Sequence, residues 1–362
     1  MDTHPTVLWE LTHACELHCR GCPSGAGAPA LNELSTYEAY KTIDQIAELQ
    51  PRELLITGGD PLERDDLHQI VDYARRRGLD PALVLNPTSH LTLDVLGSLQ
   101  RHGLTQVVFS LDGSSATIHE SIHCVPDSFG ITLRAVRWAK RARLRIEVNT
   151  LVCRRNAQDL PAIARLLRPF SIARWNIHFL VPAGASKQLE MMTAAEVEAA
   201  FAAIEAIRAG ETFAVRVVEA PHYRRFRLHR TLAAKLRDLD VDAGETPEQL
   251  HACAREGAHG FVYISSSGDV RPSEFVPQSA GNLRYRSLGA IYRGSDLFVA
   301  LRDPENLKGK CHHCDFRHLC GGSRARAWAM TGDLFGTDPL CAYEPPDHGA
   351  APATRGAKEA TA

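Results

Sequence analysis

Cys15, Cys19 and Cys22 fall within eight residues of one another, in the run Trp9-Glu10-Leu11-Thr12-His13-Ala14-Cys15-Glu16-Leu17-His18-Cys19-Arg20-Gly21-Cys22. They follow a short apolar stretch, Val7-Leu8-Trp9. Three thiolates spaced this closely can converge on one soft metal centre. A cubane iron–sulfur cluster ordinarily takes four cysteines. Three from a single loop leave one iron open to an exogenous ligand, and that opening makes such a site reactive. Zinc is the alternative occupant, with His13 or His18 as a fourth ligand. A disulfide set fits poorly, because three is odd and no secretory segment precedes it.

A second constellation lies near the other end: Cys311, Cys314, Cys320 and Cys341. C-x2-C-x5-C plus a distal cysteine supplies four thiolates, a complete set for a closed site, and the spacing admits either zinc or a cubane cluster. Of the ten cysteines, three are then left over, Cys124, Cys153 and Cys253. A free cysteine is most often a small buried hydrophobe. Ten cysteines without an export signal imply a reducing, cytoplasmic setting. No apolar run reaches the length of a membrane span, and no basic block suggests nucleic acid.

The elements that must carry these cysteines alternate in type. Short apolar strands are expected at Glu53–Thr57, Ala82–Leu85, Gln106–Ser110, Leu144–Asn149 and Trp175–Leu180, with the run before Cys15 as the first. Helical stretches such as Tyr37–Leu49, Leu67–Arg77 and Ile131–Ala142 lie between them. Strand–helix repeats of this length imply an α/β fold with a parallel sheet, either a barrel or doubly wound. Ligands of such folds gather at the C-terminal strand ends. There the chain has Gly58-Gly59-Asp60-Pro61, Ser110 with Asp112, Asn149, and Leu180 with Val181. The two glycines permit close backbone approach to a ligand, and Pro61 starts the next segment with a fixed φ.

C-x3-C-x2-C after a first strand resembles the radical S-adenosylmethionine (SAM) superfamily. The resemblance implies a partial (β/α)6 barrel, a [4Fe-4S] cluster on Cys15, Cys19 and Cys22, and SAM chelated to the open iron. Gly58, Gly59, Asp60 and Pro61 then match the superfamily's Gly-Gly-Glu-Pro motif, which holds the SAM amino group. Ser110, Asp112 and Asn149 match contacts to SAM carboxylate or ribose, and Leu180 and Val181 an apolar wall for adenine. One departure is Gly21, where the superfamily usually has an aromatic residue or His. The C-terminal segment from Cys320 to Cys341 is similar to a cysteine-rich SPASM/twitch-type domain that carries auxiliary clusters. Here Ser273 and Arg324 stand where the full domain has cysteines. The resemblance therefore implies one auxiliary [4Fe-4S] cluster, on Cys311, Cys314, Cys320 and Cys341.

The expected organisation is a barrel over 1–192, a helical, substrate-proximal linker over 193–248, the auxiliary-cluster domain over 249–345 and a disordered tail over 346–362. The expected activity is reductive cleavage of SAM to a 5′-deoxyadenosyl radical, which abstracts hydrogen from a small molecule. Sugar- or nucleoside-type epimerisation, with Cys253 or Cys124 returning a hydrogen atom, stands beside decarboxylation. Peptide maturation and tetrapyrrole decarboxylation are alternatives, as is a non-enzymatic electron carrier. The small-molecule reading rests on the absence of room for a leader-binding domain before Cys15. His222, Tyr223, Arg224 and Arg225 are candidate anchors for a substrate carboxylate or phosphate. An electron donor of flavodoxin or ferredoxin type is the expected partner.

Overall fold

A computed structural model describes residues 4–22, 24–237 and 260–345, the last six of the middle stretch by backbone alone. Cys253 and the expected tail lie outside the described residues. Seven parallel strands run in chain order: β1 (Thr6–Glu10), β2 (Glu53–Thr57), β3 (Pro81–Leu85), β4 (Gln106–Ser110), β5 (Arg145–Val152), β6 (Arg174–Phe179) and β7 (Ala214–Val218). The helices between them are α1 (Thr36–Leu49), α2 (Leu67–Arg76), α3 (Leu93–Arg101), α4 (Ala116–His123), α5 (Ser128–Arg141), α6 (Leu160–Leu167) and α7 (Ala194–Gly210). After α8 (His222–Arg237) the sheet resumes with β8 (Phe261–Ile264), β9 (Asp269–Arg271) and β10 (Gly281–Asn282). β8 pairs parallel with β1, and β9 and β10 add antiparallel to it. Three helices follow: α9 (Leu288–Gly294), α10 (Asp296–Arg302) and α11 (Arg324–Thr331).

Side chains alternate across each strand, and the two sets have different fates. Val7, Trp9, Leu54, Ile56, Leu83 and Val107 are buried in the core beneath the helices. Thr6, Leu8, Glu10, Leu55, Thr57, Val84, Val108 and Ser110 line one internal cavity together with Asn149, Asn176 and His178. The sheet is thus curved around this space, and its edges β7 and β10 do not meet. Helix starts are set locally. Ser35 with Glu38 and Thr193 with Glu196 form capping boxes at α1 and α7, each satisfying backbone donors that the first turn leaves open.

The sheet corrects two expected boundaries. The barrel does not end at 192, because β7 continues it in register with β6, from Arg174 opposite Ala214 to His178 opposite Val218. Nor does the C-terminal part start as a separate layer, since β8 extends the same sheet beyond β1. The N-terminal end of the barrel is closed by charge. Arg174 bridges Glu53 (2.5 Å) and Glu147 (2.9 Å), and Arg216 reaches Glu53 at 2.9 Å.

Candidate active site

The cysteine loop hangs from the end of β1 and is fastened from several directions. The Glu33 carboxylate accepts from Thr12 Oγ1, from the His13 amide at 2.6 Å and from the Ala30 amide at 3.1 Å. From the far side, the Arg20 amide donates to His123 O (3.2 Å) and the Ala185 amide to Cys22 O (3.2 Å). Gly21 lies close against Leu151, with space for no more than a methyl, which accounts for the missing aromatic residue there.

β2 presents its glycines to this loop. The Gly59 amide donates to Thr12 O at 2.8 Å and the Asp60 amide to Ala14 O at 2.6 Å. A Cβ on Gly59 would stand 2.1 Å from Ala14 O, and one on Gly58 would stand 2.7 Å from Thr12 O. The absent side chains therefore serve the packing of strand end against cysteine loop, a tighter demand than approach to a ligand. Gly58 and Gly59 also border the cavity, whereas Asp60 and Pro61 do not. Asp60 is fully buried and caps the turn after β2, accepting from the Leu62 amide and from Thr88 Oγ1 at 2.5 Å. Its expected contact with a ligand is replaced by this structural role.

Ser110, Asp112, Asn149, Leu180 and Val181 all border the same cavity of about 640 Å³. Asn149 Oδ1 accepts from Asn176 Nδ2 at 3.0 Å. Asp112 is already engaged: its carboxylate accepts from the Leu151 amide at 2.6 Å and lies 2.7 Å from His123 Nε2. Burial opposes ionisation of Asp112, but His123 outweighs it and lowers the pKa. Burial would likewise neutralise His123, yet Asp112 carries its pKa up to about 10. Asp112 thus orders the pocket through His123, a partner that the sequence reading missed.

Neither thiol set is drawn in to the spacing of tetrahedral zinc. Tetrahedral zinc, with Zn–S near 2.3 Å, holds its sulfurs within about 4 Å of each other. Among the described residues no three thiols come within 4.8 Å of one another. Within each set the thiols are near enough for Cys19 and Cys22 to raise the pKa of Cys15, and for Cys341 and Cys311 to raise that of Cys320. Burial is the larger cause, taking Cys15 up to about 11 and Cys320 to about 12. Backbone amides aim at the sulfurs: Leu17 at Cys15, Phe316 at Cys314 and Gly322 at Cys320, at 3.3–3.4 Å.

The sequence from residue 9 to residue 167 matches the radical SAM superfamily. The AdoMet-dependent heme synthase of Methanosarcina barkeri is 33% identical over 343 residues, 94% of this chain and 96% of that protein. The chain belongs to the radical SAM superfamily. The PqqA peptide cyclase of Rhodopseudomonas palustris is 29% identical over 353 residues, 94% of this chain and 87% of that one. The crystal structure of Streptococcus suis SuiB bound to S-adenosylmethionine superposes with a TM-score of 0.71 at 13% identity, covering 94% of this chain and 78% of SuiB. That resemblance is one of fold.

As a radical SAM enzyme the chain implies one [4Fe-4S] cluster and SAM, and Cys15, Cys19 and Cys22 stand on the cavity wall where these would be held. The C-terminal thiols are not on the wall, which Gly322, Ser323 and Arg324 after Cys320 do border. Their loop is bolted to the barrel by Arg326, fully buried, which pairs with Asp338 at 2.9 and 3.0 Å and donates to Leu180 O (3.3 Å) and Glu219 O (2.7 Å). Gly321 and Gly322 both adopt positive φ, 66° and 69°, to turn the chain after Cys320.

Three expectations are corrected. His222 and Arg225 do not border the cavity; α8 turns them into the protein, His222 onto Phe201 and Arg225 onto Glu198 and the Tyr343 ring. Tyr223 and Arg224 do border it, but Tyr223 donates to Glu205 and Arg224 to Leu319 O. Cys124 is exposed at the C-cap of α4 with φ 57° and is not on the cavity wall, so it is not placed to return a hydrogen atom to a substrate in that cavity. Cys153 is buried among Ile122, Leu180 and Leu189. The sequence reading also missed Glu274, a cavity carboxyl whose pKa rises to about 8 through burial and the neighbouring Glu219 and Glu10.

No helix among the described residues is long and apolar enough to cross a membrane.

Proposed function

We propose that this radical SAM enzyme performs an oxidative reaction, the decarboxylation of a carboxylate-bearing tetrapyrrole, with an auxiliary [4Fe-4S] cluster on Cys311, Cys314, Cys320 and Cys341. The observation that carries the reading is the shape of the cavity. It runs from the SAM-motif positions Gly58, Ser110 and Asn149 to Gly322 and Arg324 of the C-terminal cysteine loop. A substrate in it lies between a site of hydrogen abstraction and a site that can take an electron. Among the described residues, Cys15, Cys19 and Cys22 are the only thiols on the wall, which favours electron loss over hydrogen return. The heme synthases at 32–34% identity support the substrate class.

Cys15, Cys19 and Cys22 would hold the cluster, and with SAM bound beside it that centre would supply radical chemistry, given one electron from an external donor of flavodoxin or ferredoxin type. The barrel residues hold the substrate's methylene within reach and keep water out, the floor being sealed by the Glu53, Arg174, Glu147 and Arg216 network. A propionate that loses one hydrogen atom and one electron releases carbon dioxide and leaves a vinyl group, so atoms and electrons balance.

The test is anaerobic turnover of reconstituted protein with SAM, a chemical reductant and an iron porphyrin bearing propionates. The expected result is 5′-deoxyadenosine with one carbon dioxide and one vinyl group per hydrogen removed. Deoxyadenosine without any change in the porphyrin, but with cross-linked or cyclised product from a peptide substrate, would replace the proposal by the peptide reading that the PqqA cyclase resemblance favours.

A further inference from the structure

Arg324 stands at a position where the full auxiliary-cluster domain has a cysteine, and it is not a surface residue. Its side chain is buried, 6% exposed. Nη1 donates to Leu334 O at 3.1 Å and Gly336 O at 2.7 Å, and Nε to Gly322 O at 3.3 Å. These carbonyls fix the plane of the guanidinium so that Nη2 lies 4.0 Å from Cys311 Sγ. Among the described ion pairs none joins Arg324 to a carboxylate. Arg326, two residues on and equally buried, has Asp338 for that purpose. A buried cation without a paired counter-charge is expensive. Asp333 feels its charge but is partly exposed and paired with Lys308, and the anionic group within reach of Nη2 is the thiolate of Cys311 with whatever it ligates. Four thiolates around a cubane carry net negative charge, which reduction increases.

We infer that Arg324 is a positioning residue for the auxiliary cluster: its fixed guanidinium at Cys311 makes that cluster easier to reduce and so a better electron acceptor. The inference rests on the auxiliary-cluster reading above and deepens it. Donors to ligand sulfur and nearby positive charge both raise a cluster's reduction potential, and Arg324 supplies both. The same side chain fills a ligand position of the second auxiliary cluster, while Ser273 occupies another and borders the cavity beside it.

The experiment is an EPR-monitored redox titration of the C-terminal cluster in full-length protein carrying Cys15→Ala, Cys19→Ala and Cys22→Ala. Adding Arg324→Met should lower the midpoint enough to change the reduced-to-oxidised ratio at fixed poise at least tenfold, about 59 mV for one electron. Arg324→Lys, which keeps the charge, should lie between. If Arg324→Met loses iron, Arg324→Lys is compared with the neutral Arg324→Gln, and equal midpoints for that pair overturn the inference. A fully loaded Arg324→Met cluster with the parent midpoint does so too. A triple-alanine protein that binds no four-iron cluster overturns the auxiliary-cluster reading itself, and the inference with it.

Discussion

Replacing Gly59 by alanine separates two accounts of the Gly-Gly turn after β2. If the glycine exists to let SAM approach the backbone, the variant binds SAM weakly and keeps its iron. The geometry points the other way. The new Cβ would meet Ala14 O at 2.1 Å, Ala14 C at 2.6 Å and Cys15 Cβ at 2.8 Å. Non-bonded heavy atoms rest at about 3.5 Å or more, so the deficit exceeds about 1 Å. Two of the three obstacles are backbone, which has no rotamer to change. Relief requires the strand end and the cysteine loop to part, straining the bonds from the Gly59 amide to Thr12 O and from the Asp60 amide to Ala14 O. Overpacking of this kind costs about 1–3 kcal/mol, and each weakened hydrogen bond adds roughly 1 kcal/mol. A total of about 3–5 kcal/mol lowers the population of the correctly seated loop by a factor of about a hundred or more. Cys15 belongs to that loop, so the cluster is lost before SAM binding is at issue. With the proposed auxiliary cluster in place, Gly59→Ala should reconstitute with about four irons per chain against an expected eight or so for the parent, keep the C-terminal signal, and form no deoxyadenosine. Full iron content with only a raised SAM dissociation constant would refute this reasoning and restore the ligand-approach account.

Other expected outcomes follow from the same contacts. Cys124→Ala should leave product yield unchanged in turnover assays, and Cys124→Gly should raise thermal stability slightly, since position 124 has φ 57° on an exposed cap and glycine meets no penalty there. Gly322→Ala, with φ 69° and a Cβ that would stand 2.6 Å from Arg324 Nη2 and 2.9 Å from Asp338 Cβ, should lose the C-terminal iron and retain the N-terminal set, read by iron analysis and EPR. Arg326→Met should cost about 3–5 kcal/mol by leaving Asp338 buried and unpaired; adding Asp338→Asn should recover part of it, measured as a double-mutant cycle in thermal or denaturant unfolding. The Asp338 carboxyl is held far below the ordinary range, Arg326 and His222 overcoming the burial that opposes its charge. A depressed carboxylate contributes stability above its unfolded pKa and loses it only as pH falls through the folded value. The pair's contribution should therefore persist through mildly acidic pH and fade only in strong acid.

The cysteine sets and the strand-end positions were legible because they are local. Three thiols in one loop announce a metal centre without reference to any other element, and short apolar runs rich in β-branched residues between helical stretches mark strands such as β4. What the sequence concealed depends on partners far along the chain. His222, Tyr223, Arg224 and Arg225 look like an anion site because each is polar and exposed on paper. Glu205 and Glu198, 18 and 27 residues away on α7, claim Tyr223 and Arg225, and α8 turns His222 inward. The barrel floor is more distant still: Glu53 and Arg216 are 163 residues apart, and nothing near either one marks it as a plug. Glu33 was missed for the opposite reason, since one acid in a loop carries no signal until it is seen to gather three donors.

These concealed contacts share a direction that bears on the chemistry. Arg174 and Arg216 on the cavity wall are committed to Glu53 and Glu147, and Arg224 and Arg324 to backbone carbonyls. Acids are less fully used: Glu219 accepts from Ser323, while burial and acidic neighbours keep Glu274 protonated near neutral pH. A carboxylate entering this chamber would meet a hydrogen-bond donor in the neutral Glu274 carboxyl more readily than a cluster of spare guanidinium groups. Holding a substrate carboxylate through neutral donors leaves its charge less stabilised than an arginine fork would. That suits a step in which the carboxylate must be surrendered as neutral carbon dioxide, because the group being lost is not anchored in its charged form. Arg324 belongs to the same part of the chamber, since its neighbour Ser323 donates to Glu219 and its neighbour Ala325 packs with Val276 beside Glu274. On the proposed decarboxylation, the neutral carboxyl of Glu274 and the charge of Arg324 would therefore act from one wall of the cavity, the first on the leaving group and the second on the electron it gives up.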